Sequence, residues 1–228
     1  MKGAINIMKK VLSIILCAVI AATGIFVFAA CSKKDTNETP AGEITGGWTK
    51  ADSPIITDEI AELLKKATEG LTGAEYTPVA YVASQVVAGT NHCILCKVTP
   101  VVPDAQSEYA LVYIYEDLEG SAEITDVTET EISASYPNND GGWHEAESPV
   151  MPEDAKDALA KATETLTGAE YSPVALLGTQ VVAGMNYRIL CQAKATVPNA
   201  EPYYVIVTVF ADLNGNAEIT DTAEIQAD

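Results

Sequence analysis

The sequence predicts an α+β fold made twice, as two tandem domains that each pack one helix on an antiparallel sheet. Three observations predict it. A shift of 95 positions lays the residues from Gly46 onward over those from Gly141 onward without a gap. Within each copy one apolar stripe at helical spacing comes first, and runs rich in Val, Ala and Tyr follow it. Glycines then punctuate those runs where tight hairpins belong.

The duplication is extensive. Gly46-Gly47-Trp48 falls on Gly141-Gly142-Trp143, and Leu71 to Tyr76 falls on Leu166 to Tyr171. Gln85 to Gly89 falls on Gln180 to Gly184, Asp117-Leu118 on Asp212-Leu213, and Ala122 to Asp126 on Ala217 to Asp221. About half of the aligned positions are identical, so a feature present in one copy alone is a poor candidate for a shared function. The first domain spans residues 46–130 and the second 141–228, with the polar stretch 131–140 as a linker. Each unit is large enough to fold alone, with a modest core.

Each element has a local cause. Thr57 can cap a helix opened by Asp58 and Glu59, whose charges suit the dipole at an N-terminus. Ile60, Leu63, Leu64, Ala67 and Leu71 then make one stripe, and Gly73 is the expected stop. In the second copy Pro152 suits a first helical turn, and Ala155, Leu159, Ala162 and Leu166 repeat the stripe. Strands are expected over Tyr76–Val86, Asn91–Val98, Tyr109–Tyr115 and Ala122–Thr128, about four to a sheet. The third strand sets Tyr109, Leu111, Tyr113 and Tyr115 on one face. Ala88-Gly89 and Leu118-Glu119-Gly120 are the expected hairpin turns.

The first thirty residues have the layout of a secretory signal peptide: Lys9 and Lys10, an uncharged apolar stretch from Val11 to Phe28, then Ala29 and Ala30. Their end, Phe28-Ala29-Ala30-Cys31, resembles a bacterial lipoprotein signal, in which the cysteine is acylated. Phe28 stands where Leu is usual. That resemblance implies lipidation of Cys31 and a place outside the cytoplasm, anchored to a bacterial membrane. The alternative is an uncleaved anchor, since the apolar stretch could just span a bilayer. Residues 31–45 read as a flexible polar tether.

Lys and Arg number 13 against 32 Asp and Glu, a formal charge of −19. Loss of the leader, with Lys2, Lys9, Lys10 and no acid, takes this to −22. Such a surface lacks the cations that nucleic-acid binding needs, and anionic headgroups would repel it, so the anchor alone should hold it to a membrane. High negative charge also serves solubility.

The segments Gly46-Gly47, Gln85-Val86-Val87-Ala88-Gly89 and Leu118-Glu119-Gly120, in that order, resemble the cystatin family, closest to its disulfide-free stefin type. The second copy repeats them as Gly141-Gly142, Gln180-Val181-Val182-Ala183-Gly184 and Leu213-Asn214-Gly215. Each repeat matches over essentially its whole length, and the pentapeptide after a helix is the specific element. The resemblance implies two tandem cystatin-like domains and reversible inhibition of papain-like cysteine proteases, with no cofactor. The N-terminal segment and the two hairpins would form a wedge that plugs the protease cleft. Gly46, Gly47, Gln85, Val86, Val87, Ala88, Gly89, Leu118 and Gly120 would then touch the protease. So would Gly141, Gly142, Gln180, Val181, Val182, Ala183, Gly184, Leu213 and Gly215. Two departures stand out. Inhibitory relatives usually carry proline or Pro-Trp in the second turn, where Glu119 and Asn214 stand here. Before the glycines, repeat one offers the apolar Ile44, but repeat two offers Asn139 and Asp140, which makes it the weaker inhibitor. A surface binding or adhesion module that inhibits nothing is the alternative.

Other constellations carry less. His92 aligns with Tyr187 and His144 with Thr49, so the copies share no histidine to act as a general base, and an enzyme is not expected. Cys93-Ile94-Leu95-Cys96 has redox spacing, but in a strand the two thiols face opposite sides, and Arg188 replaces Cys93 in the second copy. Cys96 and Cys191 read as core residues. Asp212, Asn214, Asn216 and Glu218 have the alternation of a calcium loop, yet Gly215 comes two positions early, and an Asn-Gly hairpin explains them better. Trp48 and Trp143 could be exposed anchors or could fix the N-terminal strand to the core.

Overall fold

The central strands of each repeat are apolar on both faces, and this decides the architecture. From Tyr109 to Ile114 every residue is buried, and so is every residue from His92 to Cys96. A sheet with such strands must cover both sides. The computed structural model describes residues 46–103, 105–130 and 141–227. The leader, Cys31, the tether with Ile44, and the linker with Asn139 and Asp140 lie outside the described residues.

The first repeat runs β1 (Thr49–Lys50), α1 (Asp58–Thr68), β2 (Ala74–Val87), β3 (Gly89–Pro100), β4 (Glu108–Glu116) and β5 (Ala122–Glu129). The second runs β6 (Trp143–Glu145), α2 (Glu153–Thr163), β7 (Ala169–Val182), β8 (Gly184–Ala195), β9 (Tyr203–Asp212) and β10 (Ala217–Ile225). Each set of five strands makes one antiparallel sheet in sequence order, β1-β2-β3-β4-β5 and β6-β7-β8-β9-β10.

Two independent helix-on-sheet domains are not what forms. The described residues from Gly46 onward belong to one compact unit, mostly β, in which the two five-stranded sheets share a core. Ala80, Val82, Leu95, Tyr109 and Leu111 of the first sheet pack with Ala175, Leu177, Leu190, Tyr204 and Ile206 of the second. Helix α1 covers the outer face of the first sheet, with Leu63, Leu64 and Ala67 on Ile94, Cys96, Val112 and Ile114. Helix α2 does the same for the second, with Ala155, Leu159 and Ala162 near Ile189, Cys191 and Val207. The layers are therefore helix, sheet, sheet, helix. Exposing the inner faces would forfeit about 25 cal/mol for each Å² of apolar surface, which is why the repeats fold against each other.

Polar contacts across the sheets are reciprocal. The Tyr109 hydroxyl donates to the Leu177 carbonyl at 3.0 Å, and the Tyr204 hydroxyl donates to the Ala51 carbonyl at 3.1 Å. Lys97 pairs with Glu145, and its counterpart Gln192 donates to the Asp52 carbonyl at 3.4 Å. Lys50 Nζ lies 3.9 Å from Glu224.

Local details also differ from the expectation. Both helices end earlier, at Thr68 and Thr163, so Leu71 and Leu166 leave the stripe and stand exposed. Gly70, with φ +79°, follows the last helical turn instead of Gly73. Thr57 caps α1 through its hydroxyl, which accepts from Ile60 N–H at 3.3 Å. Pro152 precedes α2, and its carbonyl accepts from Lys156 N–H at 3.1 Å. Strands β1 and β6 are the short N-terminal strands beside Trp48 and Trp143, and they pair antiparallel with β2 and β7. No helix among the described residues is long and apolar enough to cross a membrane.

Candidate functional site

The order of strands brings three separated segments to one end of each sheet. The β2–β3 hairpin turns at Ala88, with Val87 opposite Gly89 and Val86 opposite Thr90. The β4–β5 hairpin turns at the same end, because Thr90 lies opposite Glu116 and Glu116 opposite Ala122. On the other side, Gln85 Nε2 donates to the Gly46 carbonyl at 2.9 Å. The glycine pair, the pentapeptide and the second turn thus stand in a row. The second repeat is arranged alike, with Gln180 Nε2 donating to the Gly141 carbonyl at 2.9 Å and Val182 opposite Gly184.

Within each row the residues divide into frame and tip. Gln85 is frame: besides holding Gly46, its Oε1 accepts from Asn91 Nδ2 at 2.7 Å. Gln180 and Asn186 repeat the bond at 2.8 Å. Gly89 is frame too. It has φ +126°, and a Cβ there would lie 2.3 Å from the Glu116 carbonyl oxygen and 2.9 Å from the Tyr115 ring. Gly184, with φ +143°, would place one 2.2 Å from the Ala211 carbonyl oxygen. Glycine at this position lets the second hairpin's strand come against the first. Gly46 and Gly141 take φ of +96° and +83° as the chain turns into β1 and β6, with Gly47 and Gly142 next to them.

The tips are apolar and open. Val86, Val87 and Ala88 are exposed in the first row, and Val181, Val182 and Ala183 in the second. Leu118 is 85% exposed and Leu213 84%. Large apolar side chains in this position contribute nothing to the core, and grouped at one edge they suit contact with a partner.

The second turn is built by an aspartate. Asp117 Oδ1 accepts from Glu119 N–H at 2.8 Å and Ser121 N–H at 2.9 Å. Gly120 N–H bonds the Asp117 carbonyl at 3.2 Å, and Gly120 takes φ +84°. These are the marks of a type I turn closed by a glycine bulge. Bonds from Ser121 above all, and from Glu119, hold the Asp117 carboxyl below its usual range. In the second copy Asn216 and Asn214 do the same for Asp212. Asn216 Nδ2 also donates to Asp212 Oδ2 at 2.8 Å, so Asp212, Asn214, Asn216 and Gly215 form a hairpin in which the aspartate's oxygens are occupied by the turn.

Sequence reasoning missed Asn91, Asn186, Tyr115, Asp117 and Asp212 as site-forming residues. Asn91 and Asn186 recur directly after both pentapeptides, which was the available signal. Tyr115 hydroxyl donates to the Ala88 carbonyl at 2.6 Å and braces the tip of the first row, whereas Phe210 stands in its place in the second.

The remaining candidates resolve into packing. Trp48 lies edge-on to Tyr113, with ring centroids 5.5 Å apart, beside the core between the sheets. Trp143 is covered by the Arg188 guanidinium, 4.0 Å from its ring centroid. Cys93 faces that shared core and Cys96 the α1 side, so the two thiols lie on opposite faces of β3. Burial pushes the Cys191 thiol up to about 12 and the Cys96 thiol up further, which leaves both protonated and unreactive. His92 is buried below the first hairpin, with Nδ1 2.9 Å from the Tyr81 hydroxyl and Nε2 3.4 Å from Glu116 Oε2. The second copy has Leu176, Tyr187 and Ala211 at these positions. No family model matches the chain, and no curated protein matches it either.

Proposed function

We propose that the protein is a reversible inhibitor of papain-like cysteine proteases, acting by filling the active-site cleft and not by catalysis. The observation that carries this is the row itself. Gly46, the Val86-Val87-Ala88 tip and the Leu118 turn come from segments far apart in sequence and meet along one edge, with apolar side chains exposed and backbone bonds fixing them in place. An edge that is rigid before binding loses little entropy on association. Its tip is narrow, because Ala88 and the glycines allow the backbone of a partner to come close. The resemblance to cystatins points to the same partner. Lipidation at Cys31 would hold the inhibitor outside the cytoplasm, where its negative surface stays clear of anionic lipid.

The test is inhibition of papain by the full chain. Reversible inhibition at sub-micromolar concentration is expected, and full protease activity at about 10 μM inhibitor would overturn the proposal. Glu119 and Asn214 at the second turn favour one other reading, in which the same edge captures a ligand that is not a protease. Binding of the chain to an unrelated surface ligand, with papain untouched, would establish it.

A further inference from the structure

We infer that the first edge is released by acid: a proton taken up by His92 loosens the two hairpins of that row, while the second row is unaffected. The inference rests on the proposed function for the identity of the partner and adds a regulation to it.

A cluster of titratable groups lies beneath the first row alone. His92, on β3, is buried three residues from the hairpin residue Gly89. Tyr81 of β2, Glu116 of β4 and Glu59 in the first turn of α1 face it, and none of the three is a cation. At the matching positions the second repeat has Leu176, Tyr187, Ala211 and Asp154. There the Tyr187 hydroxyl donates to Asp154 Oδ2 at 3.1 Å, and no histidine takes part.

The geometry around His92 suits a neutral ring. Glu116 Oε2, 3.4 Å from Nε2, favours the tautomer that carries its proton on Nε2. Nδ1 then accepts from the Tyr81 hydroxyl at 2.9 Å. A second proton must go to Nδ1. It reverses the bond to Tyr81, so the phenol hydrogen loses its acceptor, and it leaves a charge in a buried site. Glu116 answers that charge weakly, since 3.4 Å is long beside the roughly 2.7–2.9 Å of a charge-assisted bond. Burial accordingly holds the His92 pKa below its ordinary value, against the opposing pull of Glu116 and Glu59.

The way from His92 to water runs through the row. The His92 side chain is 11% exposed and that of Glu116 34%, so the cluster opens at the end of β4, at the base of the second hairpin. The Glu116 backbone pairs with Thr90 beside the first hairpin and with Ala122 beside the second. Its carbonyl oxygen also lies 2.3 Å from the place of a Cβ on Gly89. A shift of Glu116 that lets a charged ring reach water therefore moves both hairpins. The closed row holds His92 neutral and the loosened row takes up the proton, so acid favours the loosened one. Affinity at the first edge is full above about pH 6.5 and falls below it, by at most about tenfold per pH unit for one proton.

The experiment measures inhibition of papain between about pH 7.5 and 5 by the full chain carrying Val182→Glu, which leaves the first edge to act, with and without His92→Gln. The ratio of the two inhibition constants, relative to its value at the upper pH, cancels the titration of papain itself. The chain that keeps His92 should weaken by about threefold to tenfold relative to the His92→Gln chain at the lower pH. A ratio that stays flat, or one that moves the other way, overturns the inference and leaves the proposed function standing. NMR of the unsubstituted chain needs neither variant nor protease. The Gly89 and Thr90 amides should titrate together with the His92 imidazole, while Gly184 and Met185 stay still. Unmoved amides at Gly89 and Thr90 overturn the inference whatever papain does. Titrating amides in a chain that leaves papain untouched at the upper pH support the loosening and overturn the proposed function.

Discussion

The two edges are built on the same frame and finished with different tips. In both, a glutamine ties a glycine carbonyl to an asparagine, a glycine admits the neighbouring strand, and an aspartate closes the second turn. At the tips the copies part. The first has a tyrosine hydroxyl bracing Ala88, a glutamate in its second turn and a buried histidine beneath; the second has Phe210, Asn214 and Tyr187 at those places. Tyr187 settles its own polar atom differently, donating to Asp154 of α2 at 3.1 Å. What the copies share holds three segments in register. What they do not share is free to set affinity and choice of partner.

The comparison predicts its own largest effect at the frame. Gly89→Ala and Gly184→Ala each force a Cβ into a carbonyl oxygen at a backbone angle that L-residues avoid. Each should lower stability by about 2–4 kcal/mol, by equal amounts, in urea unfolding. A marked inequality would show that one edge relaxes where the other does not. Because the sheets share a core, unfolding should remain one transition in every case. Two transitions in the parent would mean that the repeats are independent after all.

Next come the reciprocal contacts between the sheets. Tyr109→Phe and Tyr204→Phe each remove a buried donor from a carbonyl, and each should cost about 1–2 kcal/mol in the same measurement. Tyr115→Phe should cost less, about 0.5–1 kcal/mol, since its bond to Ala88 is more exposed. It gives the first edge the aromatic residue of the second. If Tyr115 sharpens the first tip for its partner, the variant's affinity at that end should fall toward that of the second.

The sequence made the repeat, the long strands and the hairpin tips legible, because each depends on residues close together. The turn at Ala88-Gly89 is legible within the five residues Gln85 to Gly89. The role of Gln85 could not, since its partner Gly46 is 39 residues away. Strand β1, two residues long, is too short for any periodicity to mark. The joining of the repeats was missed for a different reason. Tyr109, Leu111, Tyr113 and Tyr115 mark one face of the strand, while Ala110, Val112 and Ile114 between them make a second, equally buried one. A run apolar on both sides is the mark of a sheet covered on both sides, and here it pointed to the other repeat. The helix stripes were overextended because Leu71 and Leu166 keep helical spacing after the helices have ended.

The smallest expected effect separates the copies by pH. His92 faces Tyr81 of β2, Glu116 of β4 and, at longer range, Glu59 of α1. Burial lowers its pKa below the ordinary value of about 6.5, and Glu116 and Glu59 oppose the shift in part. An unfolded chain then binds the proton more readily than the folded one, so stability rises with pH through the window below about 6.5 and is lost as pH falls through it. His92→Gln should flatten the stability curve between about pH 6.5 and 5, where ordinary carboxylates have not yet titrated. An unaltered slope in His92→Gln would show that Glu116 offsets the burial completely. A reversed slope would show that the ion pair with Glu116 outweighs it, and the first edge would then be the one strengthened by acid.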